Sequence, residues 1–317
     1  MEQNVKIAIV IVTYKRQELL TKLLNSIVEI RKYIWETIIV DNENSKQTEN
    51  IAARYNNTFH LNIKYLAQEK NLGGAGGFRV GIEQGYKDKA DWLWIMDDDV
   101  KVISKNAGRI LELVSKEKAI MGNRLDYYGN QIMTPFKLSN YFGIANPIKR
   151  NPFKTKDIAS SNMICFEGGL ISTSLIQEIG IPDSRFFIYW DDITYGYLLS
   201  KYASIARVNI DIVQRTRDTK SIKKGNFTID KLNDEKKYYM IRNRGLLANY
   251  MKIYGDYHGV FFTIGTLYCI CRECLRIMMT HEKFSAIKYL IKGFVDSRKI
   301  INNKKWHPEN QIRKYDE

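Results

Sequence analysis

Apolar runs too short to cross a membrane and too continuous for half-exposed strands recur through the first hundred residues. They are Lys6–Thr13 (KIAIVIVT), Thr37–Val40, Ile63–Leu66 and Trp92–Met96. Continuous β-branched runs of this kind suit strands covered on both faces, the habit of parallel sheets. Between them Leu19, Leu20, Leu23, Leu24, Ile27 and Val28 recur at helical spacing, and Thr48–Tyr55 and the segment through Val80, Ile82 and Tyr86 read as further helices. Strand and helix in alternation make an α/β layer with a mostly parallel central sheet. Ligands on such sheets gather at the carboxyl ends of the strands. Asp41, the glycine-rich stretch Asn71–Gly77 and Asp97-Asp98-Asp99 all fall at such ends.

Beyond this layer, residues 123–165 are irregular and aromatic and are expected to cross the site as loops. Regular pattern returns with Gly168-Gly169-Leu170-Ile171, a helix over Thr173–Ile179 and a strand over Ser204–Val213. From about residue 230 the chain is helical and basic. We divide it into a catalytic unit over 1–228, with a donor half to about 122 and an acceptor half over 123–228, and a helical region over 229–317. The chain has 317 residues, 44% hydrophobic, enough for a sizeable core. Its four cysteines make no disulfide framework. Cys269, Cys271 and Cys274 lie in a helical pattern that turns Cys269 and Cys271 to different faces, so buried thiols are expected there rather than zinc. No signal-peptide pattern precedes the first strand, and no apolar stretch is long enough to span a bilayer.

The chemistry concentrates in four places. Asp97-Asp98-Asp99 follows its apolar strand with no spacer, and three adjacent carboxylates repel one another unless a cation compensates them. In extended backbone Asp97 and Asp99 point the same way and Asp98 the other. Oxygen ligands of this kind suit Mg²⁺ or Mn²⁺ and leave positions for a diphosphate; the bland reading is a solvated acidic turn. Asn71-Leu72-Gly73-Gly74-Ala75-Gly76-Gly77 precedes a helix, where glycine lets backbone approach a phosphate and the helix N-terminus favours negative charge. It is not the dinucleotide fingerprint, whose spacing and strand position differ. Asp41 can accept hydrogen bonds from a base or ribose, or simply form a turn. Trp190-Asp191-Asp192 sets carboxylates in apolar surroundings that raise their proton affinity, as a general base requires, beside an aromatic face for a sugar. One of the two aspartates would otherwise cap a helix beginning near Thr194.

Val12-Thr13-Tyr14-Lys15-Arg16, Val40-Asp41-Asn42, Asn71–Phe78, Met96–Asp99 and Trp190-Asp191-Asp192 occur in the order seen in family 2 glycosyltransferases of the GT-A fold. Over about residues 5–215 the chain resembles the bacterial galactofuranosyl- and rhamnosyltransferase branch. The resemblance implies an inverting transfer of a sugar, galactofuranose or rhamnose before galactose or glucose, from a UDP- or dTDP-sugar to a hydroxyl. It places Thr13, Tyr14, Arg16 and Asp41 around the nucleotide, and Asn71, Gly73, Gly74, Gly76 and Gly77 beside the diphosphate and sugar. Asp97 and Asp98 would reach the donor, with Asp97 and Asp99 on the metal. Glu167, Gly168, Trp190 and Asp191 would frame the acceptor, and Asp192 would be the base. Two positions depart from the family pattern. Thr194 stands where an acidic residue is frequent, and Ile212–Thr216 holds no metal-binding histidine. Gln214 is a weak substitute, and Arg215 or Arg217 a candidate to neutralise the diphosphate directly.

The net charge of +14 sits mostly in residues 215–317, with 22 Lys and Arg against 11 Asp and Glu. Such a region attracts anionic partners. Phe284, Ile287, Tyr289, Leu290, Ile291 and Phe294 interleave with Lys283, Lys288 and Lys292, as in a helix lying on an anionic membrane or in an ordinary surface helix with a solvated basic face. The resemblance implies as partners a nucleotide-sugar and a glycan or lipid-linked glycan acceptor, and with them a membrane touched through the C-terminal helices, at the inner face of a cell membrane; a homo-oligomer is compatible. A nucleic-acid-binding protein, the first alternative, leaves the aspartate triplet unexplained. A nucleotidyltransferase, the second, leaves Trp190-Asp191-Asp192 unexplained.

Overall fold

A computed structural model describes residues 5–132, 137–146, 153, 157–218, 221–224, 227–230 and 232–311. The four apolar runs become strands β1 (Ile7–Thr13), β2 (Glu36–Asp41), β3 (Ile63–Ala67) and β4 (Trp92–Asp97). Helices α1 (Gln17–Ile30), α2 (Lys46–Phe59) and α3 (Gly73–Lys87) connect them. These four strands are parallel in the order β3-β2-β1-β4. β1 shows why its sequence is apolar throughout: Ala8, Val10 and Val12 face one core with α3, while Ile7, Ile9 and Ile11 face the other with α1.

α3 lies close on the sheet because it carries glycine every fourth residue. A Cβ on Gly81 would stand 2.3 Å from Val10 Cγ1. The glycines begin the helix rather than forming a turn before it, a correction to the sequence reading. Gly73 is already its first residue.

The chain goes on to add to this sheet β5 (Val100–Val102), β6 (Ala119–Leu125), β9 (Ile158–Ser161), β10 (Gly169–Ser172) and β11 (Ile205–Arg215), with helices α4 (Ser104–Leu111), α5 (Thr173–Ile179) and α6 (Asp191–Leu199) and a separate hairpin of β7 (Lys137–Ser139) and β8 (Ile144–Asn146) between them. The order in the sheet is β3-β2-β1-β4-β10-β6-β11-β5, with β9 on β11. β10 runs antiparallel to both β4 and β6. So residues 123–165 are not all loop: the end of β6 and strands β7–β9 lie within them, while 133–136, 147–152 and 154–156 fall outside the described residues.

After the pair β12 (Ser221–Lys224) and β13 (Phe227–Asp230) come α7 (Asp234–Arg242), α8 (Arg244–Ile253), α9 (Gly259–Met279) and α10 (Ile287–Asn302). Leu246, Tyr250 and Phe262 join the same core as Trp190, Tyr195 and Leu198. The C-terminal helices therefore complete the acceptor half rather than hang from it. Cys269 is buried and Cys271 exposed, as the helical spacing required.

Candidate active site

The carboxyl ends of β1 and β4 are hydrogen-bonded neighbours, with Val12 opposite Asp97. That pairing brings Thr13–Arg16 against the aspartate triplet. Asp98 is buried and spoken for: it accepts from Thr13 Oγ1 at 2.7 Å and from Arg16 Nη1 at 2.9 Å. It holds the corner together, which corrects its expected place beside the donor. Arg16 Nη1 also reaches Asp99 Oδ2 at 3.1 Å, so Arg16 is bound into the corner from its own side, with its side chain 37% exposed. Tyr14 stands exposed beside it.

Asp97 differs. Among the described residues no hydrogen bond engages its carboxylate. Burial, then the charges of Asp99, Glu167 and Asp98, push its proton affinity well above the ordinary carboxylate range, and Arg16 offsets only part of this. A carboxylate in that position is answered by a proton or by a cation. Beside it, the backbone N–H of Thr216 donates to Asp99 O at 2.8 Å, and the buried Thr216 hydroxyl has no partner among the described residues. Asp97, and Asp99 held among the described residues only by Arg16, are oxygen donors of the kind that suits a hard divalent cation. Among the described residues no three of His, Cys, Asp and Glu gather into a metal cage, so protein carboxylates would be only part of any such coordination.

The other donor residues divide. Asp41 is fully buried, accepting from the amides of Glu43 and Ser45 and from the Tyr65 hydroxyl at 2.7–2.9 Å. It forms the turn, which corrects its expected contact with base or ribose. Asn42 donates to Gly73 O at 2.9 Å, and Asn71 accepts from the Gly73 amide at 2.9 Å. Gly73 has φ +70°, and a Cβ there would strike Phe187 O. Added Cβ atoms on Gly76 and Gly77 would meet Leu72 and Val12. These three glycines serve packing; Gly74 alone opens onto free space.

On the acceptor side Glu167, 4% exposed, is gripped by Arg124 Nη1 and by Arg215 at 2.7 and 3.0 Å. Burial alone would raise its pKa, but the two guanidiniums outweigh it and hold the carboxylate below its ordinary value. Glu167 is thus a buried ion-pair centre and not an acceptor ligand, and Arg215 is not free for a diphosphate. Arg217 is exposed. Gln214 donates to Tyr127 O at 3.2 Å. Gly168, with φ +105°, lies against Ile212 and Val213, a backbone role rather than an acceptor contact.

Trp190 is also corrected. It is 7% exposed, donates from its indole to Met240 O at 2.8 Å, and lies under the Arg244 guanidinium 5.2 Å away. Its ring offers no sugar a face. Nearby, half-exposed Phe187 stacks on Tyr239 at 5.2 Å. α6 starts at Asp191, earlier than expected, and neither aspartate caps it. Asp191 lines a small crevice with Asp183, Tyr195 and Tyr250, away from the donor corner. Burial, then the charge of Asp192, pushes its pKa to about 8. Asp192 is raised as well, chiefly by burial, while the Ile193 amide at 2.7 Å, the Cys165 thiol and the charge of Arg124 pull it back. Arg124 and Glu167 thus link the surroundings of Asp192 to those of Asp97.

A buried clamp holds this segment. Phe187, Tyr189 and Trp190 all have positive φ, a strained state for non-glycine residues. The Asn243 side-chain amide donates to the carbonyls of Phe186, Ile188 and Tyr189 at 2.8–2.9 Å, and Arg242 donates to that of Arg185 at 2.6 Å. Sequence reasoning missed Arg124, Cys165, Thr216 and Asn243, because each acts through neighbours far along the chain. The one available signal was Asn243-Arg244 interrupting an apolar helical run.

Comparison with known proteins agrees with this geometry. The chain is 25% identical over 259 residues to galactofuranosyltransferase GlfT1 of Mycolicibacterium smegmatis, covering 76% of this chain and 82% of the relative. It is 29% identical over 192 residues to GlfT1 of Mycobacterium tuberculosis, covering 58% of this chain and 61% of that one. Among solved structures, S. aureus TarS 1-349 in complex with UDP-GlcNAc superposes with a TM-score of 0.61 at 14% identity, covering 94% and 82%. GalNAc-T7 with UDP, GalNAc and Mn²⁺ does so at 0.56 and 16%, covering 68% and 44%. These likenesses show the GT-A fold. The profile described as Glycosyl transferase family 2 matches residues 8–170, and on that match, with the carboxylate corner at the end of β4, the chain belongs to glycosyltransferase family 2.

Proposed function

We propose that the enzyme moves galactofuranose from a UDP-sugar, or rhamnose from a dTDP-sugar, onto a hydroxyl of a lipid-linked glycan during cell-surface polysaccharide synthesis, at the inner face of the cell membrane. The names of the two mycobacterial relatives favour galactofuranose. The observation that carries the reading is Asp97: a carboxylate crowded by three others at a strand end, with no hydrogen bond of its own.

Asp97 and Asp99 would hold Mn²⁺ or Mg²⁺. A cation bound there would supply positive charge to the leaving nucleoside diphosphate. Thr13, Asp98 and Arg16 fix the corner, and exposed Tyr14 borders the nucleotide. Gly74, at the start of α3, lets a phosphate approach a helix N-terminus. Asp192, its proton affinity raised by burial, takes the proton of the acceptor hydroxyl as that oxygen bonds to the anomeric carbon and the bond to the diphosphate breaks. Displacement from the opposite face inverts the anomeric configuration. Phe187 and Tyr239 supply the apolar wall for the acceptor sugar.

The test is thermal denaturation with UDP- and dTDP-sugars, with and without Mn²⁺. One nucleotide class should stabilise the protein only when the metal is present. Absence of a metal-dependent shift with either class overturns the proposal. DNA phosphate would be repelled at the triplet, so no observation favours the nucleic-acid reading.

A further inference from the structure

α9 buries one face and leaves the other in water. Phe262, Cys269 and Ile277 point inward. Outward stand Val260, Ile264, Leu267, Leu275 and Met278, between 48% and 74% exposed, repeating every three or four residues or a multiple of that spacing. The helix has 21 residues, so the stripe runs for roughly 30 Å at about 1.5 Å per residue. An apolar surface of that length is seldom left to solvent. α10 packs beside it and exposes Ile291 and Val295 among Lys288, Lys292 and Lys299.

The charges on this pair of helices are one-sided. Glu273 is buried and bonded to Arg276, and Asp296 is taken by Lys299 and the Tyr238 hydroxyl. Glu282, in the turn between them, is held by Lys237 and Arg276. Every carboxylate on α9 and α10 is thus satisfied within the protein, and the lysines of α10 are left facing outward around apolar side chains. No helix among the described residues is long and apolar enough to cross a membrane.

We infer that the exposed face of α9, with the lysines of α10, rests on an anionic lipid bilayer. An apolar stripe fringed by cations matches acyl chains below acidic headgroups. A second copy fits less well, because a two-fold contact through this face sets lysine row beside lysine row, and the acids of α9 and α10 are already engaged within the protein. The face also lies close to the acceptor segment. Arg244 donates to Thr266 Oγ1 on the buried side of α9 at 2.9 Å and covers Trp190 at 5.2 Å. One helix and one side chain separate the proposed bilayer from the segment that carries Asp192. The inference deepens the reading that the acceptor is lipid-linked, and it can be tested without any sugar donor.

The experiment is co-sedimentation of the full chain with phosphatidylcholine vesicles, with and without one-third phosphatidylglycerol. Binding is expected on the anionic vesicles and should fall as salt rises. The paired substitution Leu267→Asn with Leu275→Asn should abolish it. Lys288→Gln with Lys292→Gln should weaken it by about fivefold for each lysine. Phe59→Ser, an exposed aromatic on α2, should bind as the parent does. Wild-type chain that ignores both vesicles, or Leu267→Asn/Leu275→Asn that still binds, overturns the inference. So does a soluble dimer that this pair dissolves without any vesicle binding. Metal-dependent nucleotide stabilisation, measured on the same variants, reports separately on the transfer reading.

Discussion

Two neighbouring corners of the site are built from the same ingredients in opposite proportion. At the end of β4 a single arginine, Arg16, is set against three carboxylates, Asp97, Asp98 and Asp99. On the facing strands two arginines, Arg124 and Arg215, close on one carboxylate, Glu167. The second corner is self-sufficient; its excess positive charge leans on Asp192. The first is not, and Asp97 is left with a raised proton affinity and no hydrogen bond. A protein that can satisfy Glu167 so fully has the means to satisfy Asp97. On the proposed function, the β4 corner is the place where a bound cation would bring the charge.

The comparison breaks most easily on activity. Asp192→Asn should lower transfer by roughly 10²–10⁴-fold, the range of a lost general base. Metal-dependent nucleotide stabilisation should survive, and single-turnover transfer with thermal shift on one sample checks both. Asp97→Asn should do the reverse, removing the metal-dependent shift itself. If either variant loses both properties equally, the two corners are not separate devices.

Next in size is Glu167→Gln. It removes the carboxylate from buried Arg124 and from partly exposed Arg215 and should cost about 3–5 kcal/mol in urea unfolding. A loss under about 1 kcal/mol would mean the closed corner is no more committed than a surface ion pair. Asn243→Ala should cost about 2 kcal/mol as three carbonyls of a strained segment lose their donor. It should also reduce kcat more than it changes nucleotide binding, because the segment it holds leads directly into Asp192.

Asp191 sharpens the contrast through pH. Its folded pKa, about 8, lies above the unfolded value, so the native state binds the extra proton between about pH 4 and 8. Its contribution to stability is therefore full at low pH and lost as pH rises through 8. Asp191→Asn should be more stable than the parent at pH 9 and indistinguishable from it below pH 4. Denaturation midpoints at the two pH values check the sign. The smallest effect is Gly74→Ala: with open space around it, the change should shift stability by no more than about 1 kcal/mol. Gly81→Ala, where Val10 stands 2.3 Å from the added carbon, should cost clearly more.

Much of the frame was legible from residue pattern. The runs at Ile7–Thr13 and Trp92–Asp97 are central strands because no polar residue interrupts them, and both faces of the sheet are covered. A helix near Thr173–Ile179 was legible as well. β6 was not, since Gly122-Asn123-Arg124 reads as loop until Arg124 is seen turned toward Glu167, forty-three residues later. The glycines at 73–77 were legible as unusual, but their reason was not: most are there for Leu72, Val12 and Phe187, which only the packed helix brings near.

The sequence by itself determined the alternating layer and the edge of the sheet where ligands collect, because periodicity and strand ends are local properties of the chain. It also determined that the aspartate triplet would stand on that edge. Tertiary structure decided which carboxylates are spent. Asp41, Asp98 and Glu167 are consumed by donors from distant segments, and Asp97 is left over. A carboxylate's availability is set by every donor within about 3 Å of it, and no window along the chain contains those donors.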